Sequence, residues 1–478
     1  MEPEQWARCV GYLADRPVRI IPLATGCLAT RDGDRRGLRM NPAACRELVG
    51  LASGRVLLGQ IERPEGPGQR RVLDALAGIG LLRRLAEPER DALPSVAVVV
   101  PAHGRAAGVA RCVGSILDLD YPSDRLQVLV VDDASGDGGL TARTAEAAGA
   151  RVVALDANVG PGSARNAGAR ASRSTILAFV DTDCVVERNW LVEAVAELAD
   201  PQVAAVAGRV RIVRTPAAIS AYEQLQSPLD VGPEFGDLDS ESGRFFCPAA
   251  NFVIRREAFE RVGGFDPGQR LGEDVDLCLR LLYAGHRIRL RPDLTVWHDA
   301  PVDVTVMAGR RFFYGRGEAS LWGRHPITRQ GVLLSFCWLG LLGAVAAAVS
   351  KRPLPARTAL AVTGLILWST QSAVLAIGRS GSPGELPLEA AIKNLSRYQA
   401  APLLAVETVL RRSTPVFTLG LLVAAGLVER GNRNPKPKLL PWLAFHAVED
   451  LAYSAGWIRG LGKALSPDRN RKCDRPLA

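Results

Sequence analysis

The sequence predicts an α/β protein in three parts: a mainly parallel sheet with flanking helices in the middle, a small α+β unit ahead of it, and an apolar helical region behind. Three observations carry this expectation. Between residues 93 and 325, short apolar runs alternate with helical patterns, the signature of parallel βαβ units. Pro88 and Pro94 bracket a linker that closes a first unit over residues 1–90. From about residue 326 the composition turns apolar, and neither 330–350 nor 358–378 contains a charged side chain.

In the first unit, residues 19–23 alternate enough for a short strand. Asn41 and Pro42 read as a helix start, with Asn as N-cap and Pro at the first helical position. Val72, Leu73, Leu76 and Ile79 mark a helical stripe that ends at Gly80. In the middle, residues 96–100 form an uninterrupted apolar run, as a strand covered on both faces requires. Val109, Cys112, Val113, Ile116 and Leu117 then fall on one face of a helix. Further strands are expected at 128–131, 152–155, 176–180 and 203–206. Ligands of such sheets bind beyond the carboxyl ends of the strands. That rule gathers Asp132, Asp133, Asp156, Asp181 and Asp183 at one rim.

Composition excludes several classes. The 478 residues carry a formal charge of +9, from 59 basic and 50 acidic side chains. This suits an anionic surface or a phosphorylated substrate, but no basic stripe with interleaved aromatics marks a nucleic-acid site. The nine cysteines include no C-x-x-C pair, which argues against a disulfide framework or a structural zinc. The N-terminus has no long apolar stretch of the signal-peptide type, so the catalytic part is expected on the cytoplasmic side. The uncharged segments have the length of membrane spans, and 413–428 is a shorter third run. The basic tail after Val428, with amphipathic stretches such as 442–461, would suit an anionic surface. Two full spans would leave Lys351, Arg352 and Arg357 outside, against the positive-inside tendency, so the number of spans stays open.

Chemistry concentrates in a few motifs. VVDDASGDGG (130–139) sets two carboxylates at a strand end, where they can accept from a nucleobase or ribose or simply cap the next helix. NVGPGSARNAGA (158–169) pairs glycines with Arg165, which could meet a pyrophosphate near a helix N-terminus. AFVDTDCVV (178–186) places Asp181 and Asp183 one residue apart behind an apolar strand. Such close acids need a cation or protons between them, and hard oxygens suit Mg2+ or Mn2+. RLGEDVDLCLRLLYAGHR (270–287) opens a helix with Glu273 and Asp274 in its first turn and Leu277, Leu281 and Leu282 on its buried side. The helix dipole would keep the acids ionised, and Asp274 is the candidate general base, with Glu273 as a positioning acid. His298, after a short strand, is a candidate to complete a metal or diphosphate site, although a lone histidine more often serves the core.

Together, VVVPAHGR (98–105), VVDDASGD, FVDTD and GEDVDLCLRL, in this order, resemble the inverting GT-A glycosyltransferases of family 2, a Rossmann-like fold. The resemblance implies a UDP- or GDP-sugar donor and displacement with inversion at the anomeric carbon. It implies Asp133 at the nucleobase or ribose, Asp183 on the metal with Asp181 assisting, Asp274 as base, and His298 touching the metal. Pro101, Asp132 and Arg165 complete the expected nucleotide-sugar contacts. Residues 19–54 look like a small PqqD-like domain of the winged-helix type, which binds peptides. That unit joined to a family 2 domain (93–325) and an apolar region (326–478) resembles the glycosyltransferases of the mycofactocin system. For those, the resemblance implies glucose from UDP-glucose added as a β-1,4 chain to premycofactocin, a peptide-derived acceptor.

Three rivals remain in view. A processive polysaccharide synthase usually carries Gln-x-x-Arg-Trp after the base, whereas RRFFYGRGEASLWGRH (310–325) lacks it. A cell-envelope enzyme acting on a polyprenyl-linked acceptor would use the apolar segments to present its lipid. An inactive peptide-binding scaffold would not need the acidic pairs.

Overall fold

The computed structural model describes residues 92–325 except 234, 240–243, 302 and 323. Outside that span it describes six strands within 7–88, positions 72, 73 and 76, and helical residues within 392–464. The first six strands, β1 (Ala7–Leu13), β2 (Val18–Leu23), β3 (Gly26–Arg31), β4 (Gly37–Met40), β5 (Gln60–Ile61) and β6 (Arg83–Pro88), form two three-stranded sheets, β5-β1-β6 and β2-β3-β4. The strand expected at 19–23 is therefore present. Val72, Leu73 and Leu76 are helical and buried, as the stripe requires. Asn41, Pro42 and Ile79 lie outside the described residues.

The middle region is a mixed α/β unit around a nine-stranded sheet. Its strands are β7 (Val96–Ala102), β8 (Leu126–Asp132), β9 (Arg151–Ala154), β10 (Ile176–Phe179), β11 (Cys184–Val186), β12 (Val203–Ile212), β13 (Gly236–Asp237), β14 (Phe252–Arg255) and β15 (Arg287–His298). The order is β11-β15-β12-β14-β10-β7-β8-β9, with β13 on β15. Pairing is parallel from β10 through β9 and between β12 and β15; β14 runs antiparallel to both its neighbours. The chain leaves β7 toward β8 and β9 on one side and returns to β10 on the other. The crevice beyond the β7 and β10 ends is thus a topological switch point, where ligands of such sheets bind.

The helices are α1 (Ala106–Leu117), α2 (Leu140–Ala147), α3 (Pro161–Arg170), α4 (Trp190–Glu197), α5 (Ala218–Gln226), α6 (Arg256–Arg261), α7 (Glu273–Tyr283), α8 (Val304–Leu321), α9 (Val416–Gly431) and α10 (Leu439–Ala464). Alternation along β7 splits the core in two. Val96, Val98 and Val100 pack with Val109, Cys112, Val113 and Ile116 of α1. Ala97 and Val99 pack on the other face with Ala164, Phe179 and Phe265. Leu117 departs from the expected stripe: it is 45% exposed at the end of α1, next to the fully buried Ile116. Leu282, too, is only half-buried at the end of α7.

Helix α8 joins the catalytic unit to the C-terminal helices. Its crossing with α10 is close enough that a Cβ on Gly456 would lie 1.9 Å from the Phe312 carbonyl oxygen, and one on Gly315 2.1 Å from that of Tyr453. Only glycine permits such backbone approach. Arg311, 1% exposed, locks the crossing by pairing with Glu223 of α5 (2.6 Å) and Glu449 of α10 (3.1 Å).

The face of α10 expected to suit a lipid surface is largely covered by protein, with Trp442, His446, Tyr453 and Trp457 buried. Among the described residues no helix is long and apolar enough to cross a membrane. Of the run 413–428, residues 416–428 fall on the 16-residue α9, too short to span, whereas 413–415, 330–350 and 358–378 lie outside the described residues.

Candidate active site

The loops after β7 and β8 are tied to each other and to the glycine-rich loop before α3 by Asp132, the last residue of β8, and Asp133 beside it. Asp132 accepts the Ser135 N–H (3.0 Å) and hydroxyl, and Ser135 Oγ accepts the Gly104 N–H (2.8 Å). Asp133 accepts the N–H groups of Val159 (2.7 Å) and Gly160 (2.9 Å), fixing the glycine-rich loop that starts α3. Both aspartates are buried. The structure thus gives Asp133 an anchoring task that its expected nucleotide contact did not include. Pro101 sits near the end of β7, beside Val131 in the ladder. Asp156 is exposed and apart from these contacts. Arg105 (φ 62°) and Ala134 (φ 54°) hold left-handed backbone in the loops after β7 and β8. Such strain in non-glycine residues gathers at binding sites.

The second cluster grows from the β10–β11 turn. Antiparallel pairing of β11 with β15 sets Cys184 opposite His298, which brings His298 Nε2 to 3.4 Å from Asp183 Oδ1. His298 Nδ1 lies 2.7 Å from the Asp299 carbonyl oxygen and donates to it, so that Nε2 is the ring nitrogen facing Asp183. Arg105 Nη1 (2.5 Å) and Arg310 Nη2 (3.7 Å) approach Asp183 Oδ2. Burial alone would raise the Asp183 pKa, but the charges of His298, Arg105 and Arg310 outweigh it and hold the carboxyl below its usual value.

Asp183, Cys184 and His298 place ligand atoms within 4.8 Å of one another. Burial pushes the Cys184 thiol far up, so it stays protonated and is a poor ligand for a hard cation. The carboxylate and the imidazole lone pair fit a divalent metal. Asp181, expected beside Asp183 on the metal, is instead held 2.6 Å from Arg165 Nη2.

Arg165 also departs from expectation. Its side chain is 4% exposed and bridges Asp181 to Glu273 (2.9 Å from Nη1), stacked 5.4 Å above the Phe265 ring. The guanidinium expected at a pyrophosphate thus links the two acidic motifs. Beside it, burial of the Asp274 carboxyl and, next, the charge of Glu273 raise its pKa to about 7, against Arg165 and the Val275 N–H. The helix dipole that was expected to keep Asp274 ionised is outweighed. Asp276, two residues on, behaves oppositely. Burial pushes it up, yet the His325 hydrogen bond (2.9 Å) and Arg280 (2.8 Å) hold it below the usual range.

Arg310 and the Asp276–His325 pair were not legible as site features in the sequence. The one available signal for Arg310 was helical phase: it and Tyr314 are four apart in RRFFYGRG and so share a face of α8.

A switch-point rim with a nucleotide-type loop, a carboxylate–imidazole pair fit for a cation and a carboxyl poised near neutrality make this a glycosyltransferase site of the nucleotide-sugar type. The chain belongs to glycosyl transferase family 2, whose model matches residues 97–263. Over 94% of its length it is similar to the pre-mycofactocin glycosyltransferase of Mycobacterium tuberculosis, at 32% identity over 476 residues and 94% of that protein. Glycosyltransferase AglE of Haloferax volcanii is 28% identical over 250 residues, 52% of this chain and 80% of that one. Among solved structures, a mannosyltransferase of Pyrobaculum calidifontis in complex with GDP-Man and Mn2+ covers 79% of this chain and 90% of its own. That alignment is loose, at 21% identity and a TM-score of 0.42.

Proposed function

We propose that the protein transfers glucose from UDP-glucose, with inversion, to a peptide-derived acceptor of the pre-mycofactocin kind, extending a β-1,4-linked chain. The observation that carries the catalytic part is the opposite state of two carboxyls on one rim. Asp183 is held ionised among cations, while Asp274 is held near neutral pH. Such a split separates a cation-binding acid from a proton-accepting one. The acceptor rests on similarity to the M. tuberculosis pre-mycofactocin glycosyltransferase along nearly the whole chain, and UDP-glucose is the donor that the sequence resemblance to the mycofactocin system implies.

In this reading the loops fixed by Asp132 and Asp133, with Pro101 beneath them, seat the nucleoside. Asp183 and His298 would hold Mg2+ or Mn2+, which when bound supplies positive charge to the departing diphosphate. Asp274 takes the proton of the acceptor hydroxyl as its oxygen attacks the anomeric carbon and the bond to the diphosphate breaks. Glu273, fixed by Arg165, orients this turn and keeps the Asp274 pKa up. A single displacement, hence inversion, is what the resemblance to the inverting family 2 enzymes implies.

We further propose that the enzyme works at the cytoplasmic face of the cell membrane. The uncharged segments 330–350 and 358–378 support this, as does the exposed stripe Leu419, Val423 and Leu427 on α9. The test is transfer from UDP-glucose with Mn2+ to pre-mycofactocin and, separately, to a polyprenyl phosphate sugar. Product on the first with inverted linkage, abolished in Asp274→Asn, is the expected result. Transfer to the lipid alone would overturn the acceptor, and full activity of the variant would overturn the base. Recovery of the whole pool in a detergent-free soluble fraction would overturn the membrane assignment.

A further inference from the structure

Arg105 contacts the cation site in a way that the family assignment does not explain. It is the residue before α1, and its backbone sits at φ 62°, where a non-glycine residue is strained. Its side chain is 58% exposed, yet Nη1 lies 2.5 Å from Asp183 Oδ2. The two oxygens of Asp183 are thus divided: Oδ1 faces His298 Nε2, and Oδ2 faces Arg105, with Arg310 farther off. Helix α1 cannot carry Arg105 away as a body. Arg111 of the same helix pairs with Asp299 (2.5 Å), and a Cβ on Gly108 would lie 2.8 Å from the Thr182 carbonyl oxygen, so the helix is seated on the 181–183 turn. Only the long, exposed side chain is free to turn.

A divalent cation on Asp183 and His298 would sit beside this guanidinium, and like charges at such range repel. A nucleoside diphosphate removes the conflict, because its oxygens bind the cation and also accept bidentate hydrogen bonds from a guanidinium. We propose that Arg105 is the counter-ion of Asp183 in the free enzyme and passes to the donor diphosphate on binding, so that metal and donor bind as a coupled pair. This rests on the cation site proposed above. It makes the metal weak alone and strong with nucleotide, and reciprocity requires that the metal strengthen the nucleotide by the same factor.

The experiment is calorimetric titration of the full chain with Mn2+, with and without UDP, in native protein, Arg105→Gly, Arg105→Lys and Asp183→Asn. Glycine removes the side chain and also tolerates the positive φ, so a melting temperature at or above native is expected. In native protein UDP should strengthen Mn2+ binding about tenfold or more. Arg105→Gly should bind Mn2+ alone about tenfold tighter than native, with the UDP enhancement reduced by about the same factor. Arg105→Lys, keeping the charge without the fork, should fall between. Unchanged Mn2+ affinity in Arg105→Gly without UDP overturns the counter-ion role, while loss of binding in Asp183→Asn leaves the site itself standing. Native protein that takes up no Mn2+ even with UDP overturns both.

Discussion

Two pairs of acids meet at the open end of the sheet, and their surroundings differ in kind. Asp181 and Asp183, on the turn after β10, each have a guanidinium within hydrogen-bonding distance. Glu273 and Asp274, at the start of α7, share one guanidinium, and it lies on Glu273. The same residue type therefore ends in two states: Asp183 ionised below its usual range, Asp274 raised to about 7. His298, Arg105 and Arg310 overcome burial at Asp183, whereas at Asp274 burial and the charge of Glu273 prevail over Arg165.

The largest test of this contrast is Asp274→Asn. Loss of the base should lower kcat on the order of 10³-fold, with the donor KM little changed. Steady-state kinetics with saturating Mn2+ would show it, and an equal loss in KM would mean the residue binds substrate instead. Next comes Arg165→Met, which strands Asp181 and Glu273 without their partner in a site where the guanidinium is almost fully buried. The cost should be about 3–5 kcal/mol in chemical denaturation. A change below about 1 kcal/mol would show that the two pairs are not linked through it.

The third test uses stability. A carboxyl whose folded pKa is raised contributes stability fully below its unfolded pKa, and that contribution is lost as pH rises through about 7. Asp274→Asn should therefore be more stable than native at pH 8, by roughly 1–3 kcal/mol, and the two should converge toward pH 4. Melting curves across that range check the sign. The smallest effect is in the pH profile. The native kcat/KM should climb about tenfold per pH unit below about 7 and level above it. Glu273→Gln removes the neighbouring negative charge, so the rise should move to lower pH by about one unit. A profile that moves upward, or not at all, would separate Glu273 from the tuning of Asp274.

Much of the rim was legible because its cause is local. An apolar run that stops at acids, as at Val131–Asp132 and Val180–Asp181, marks a buried strand ending at a binding edge. The helix α7 start could be read the same way, from two acids followed by leucines. What could not be read is who partners whom. Arg165 in a glycine-rich helix start looks like a phosphate ligand until the fold brings Glu273, far along the chain, against it. Asp183 meets His298 only through the β11–β15 ladder, and Asp133 turns inward to Val159 and Gly160 because of how the next loop closes. The raised pKa of Asp274 is likewise a property of assembled surroundings. Leu117 shows the reverse failure: the periodicity holds through the buried Ile116, but Leu117 at the helix end stays 45% exposed.

The glycine contacts between α8 and α10 bear on how the molecule comes apart. Backbone from the tail fills space directly against the helix that presents Arg310 to Asp183, and Arg311 shares its charge with an acid on each side of the joint. Withdrawing the tail would leave that guanidinium half-neutralised and a bare seam along α8. The catalytic sheet and residues 439–464 should therefore melt in one calorimetric transition, and a chain ending near residue 325 should lose its active geometry along with its tail.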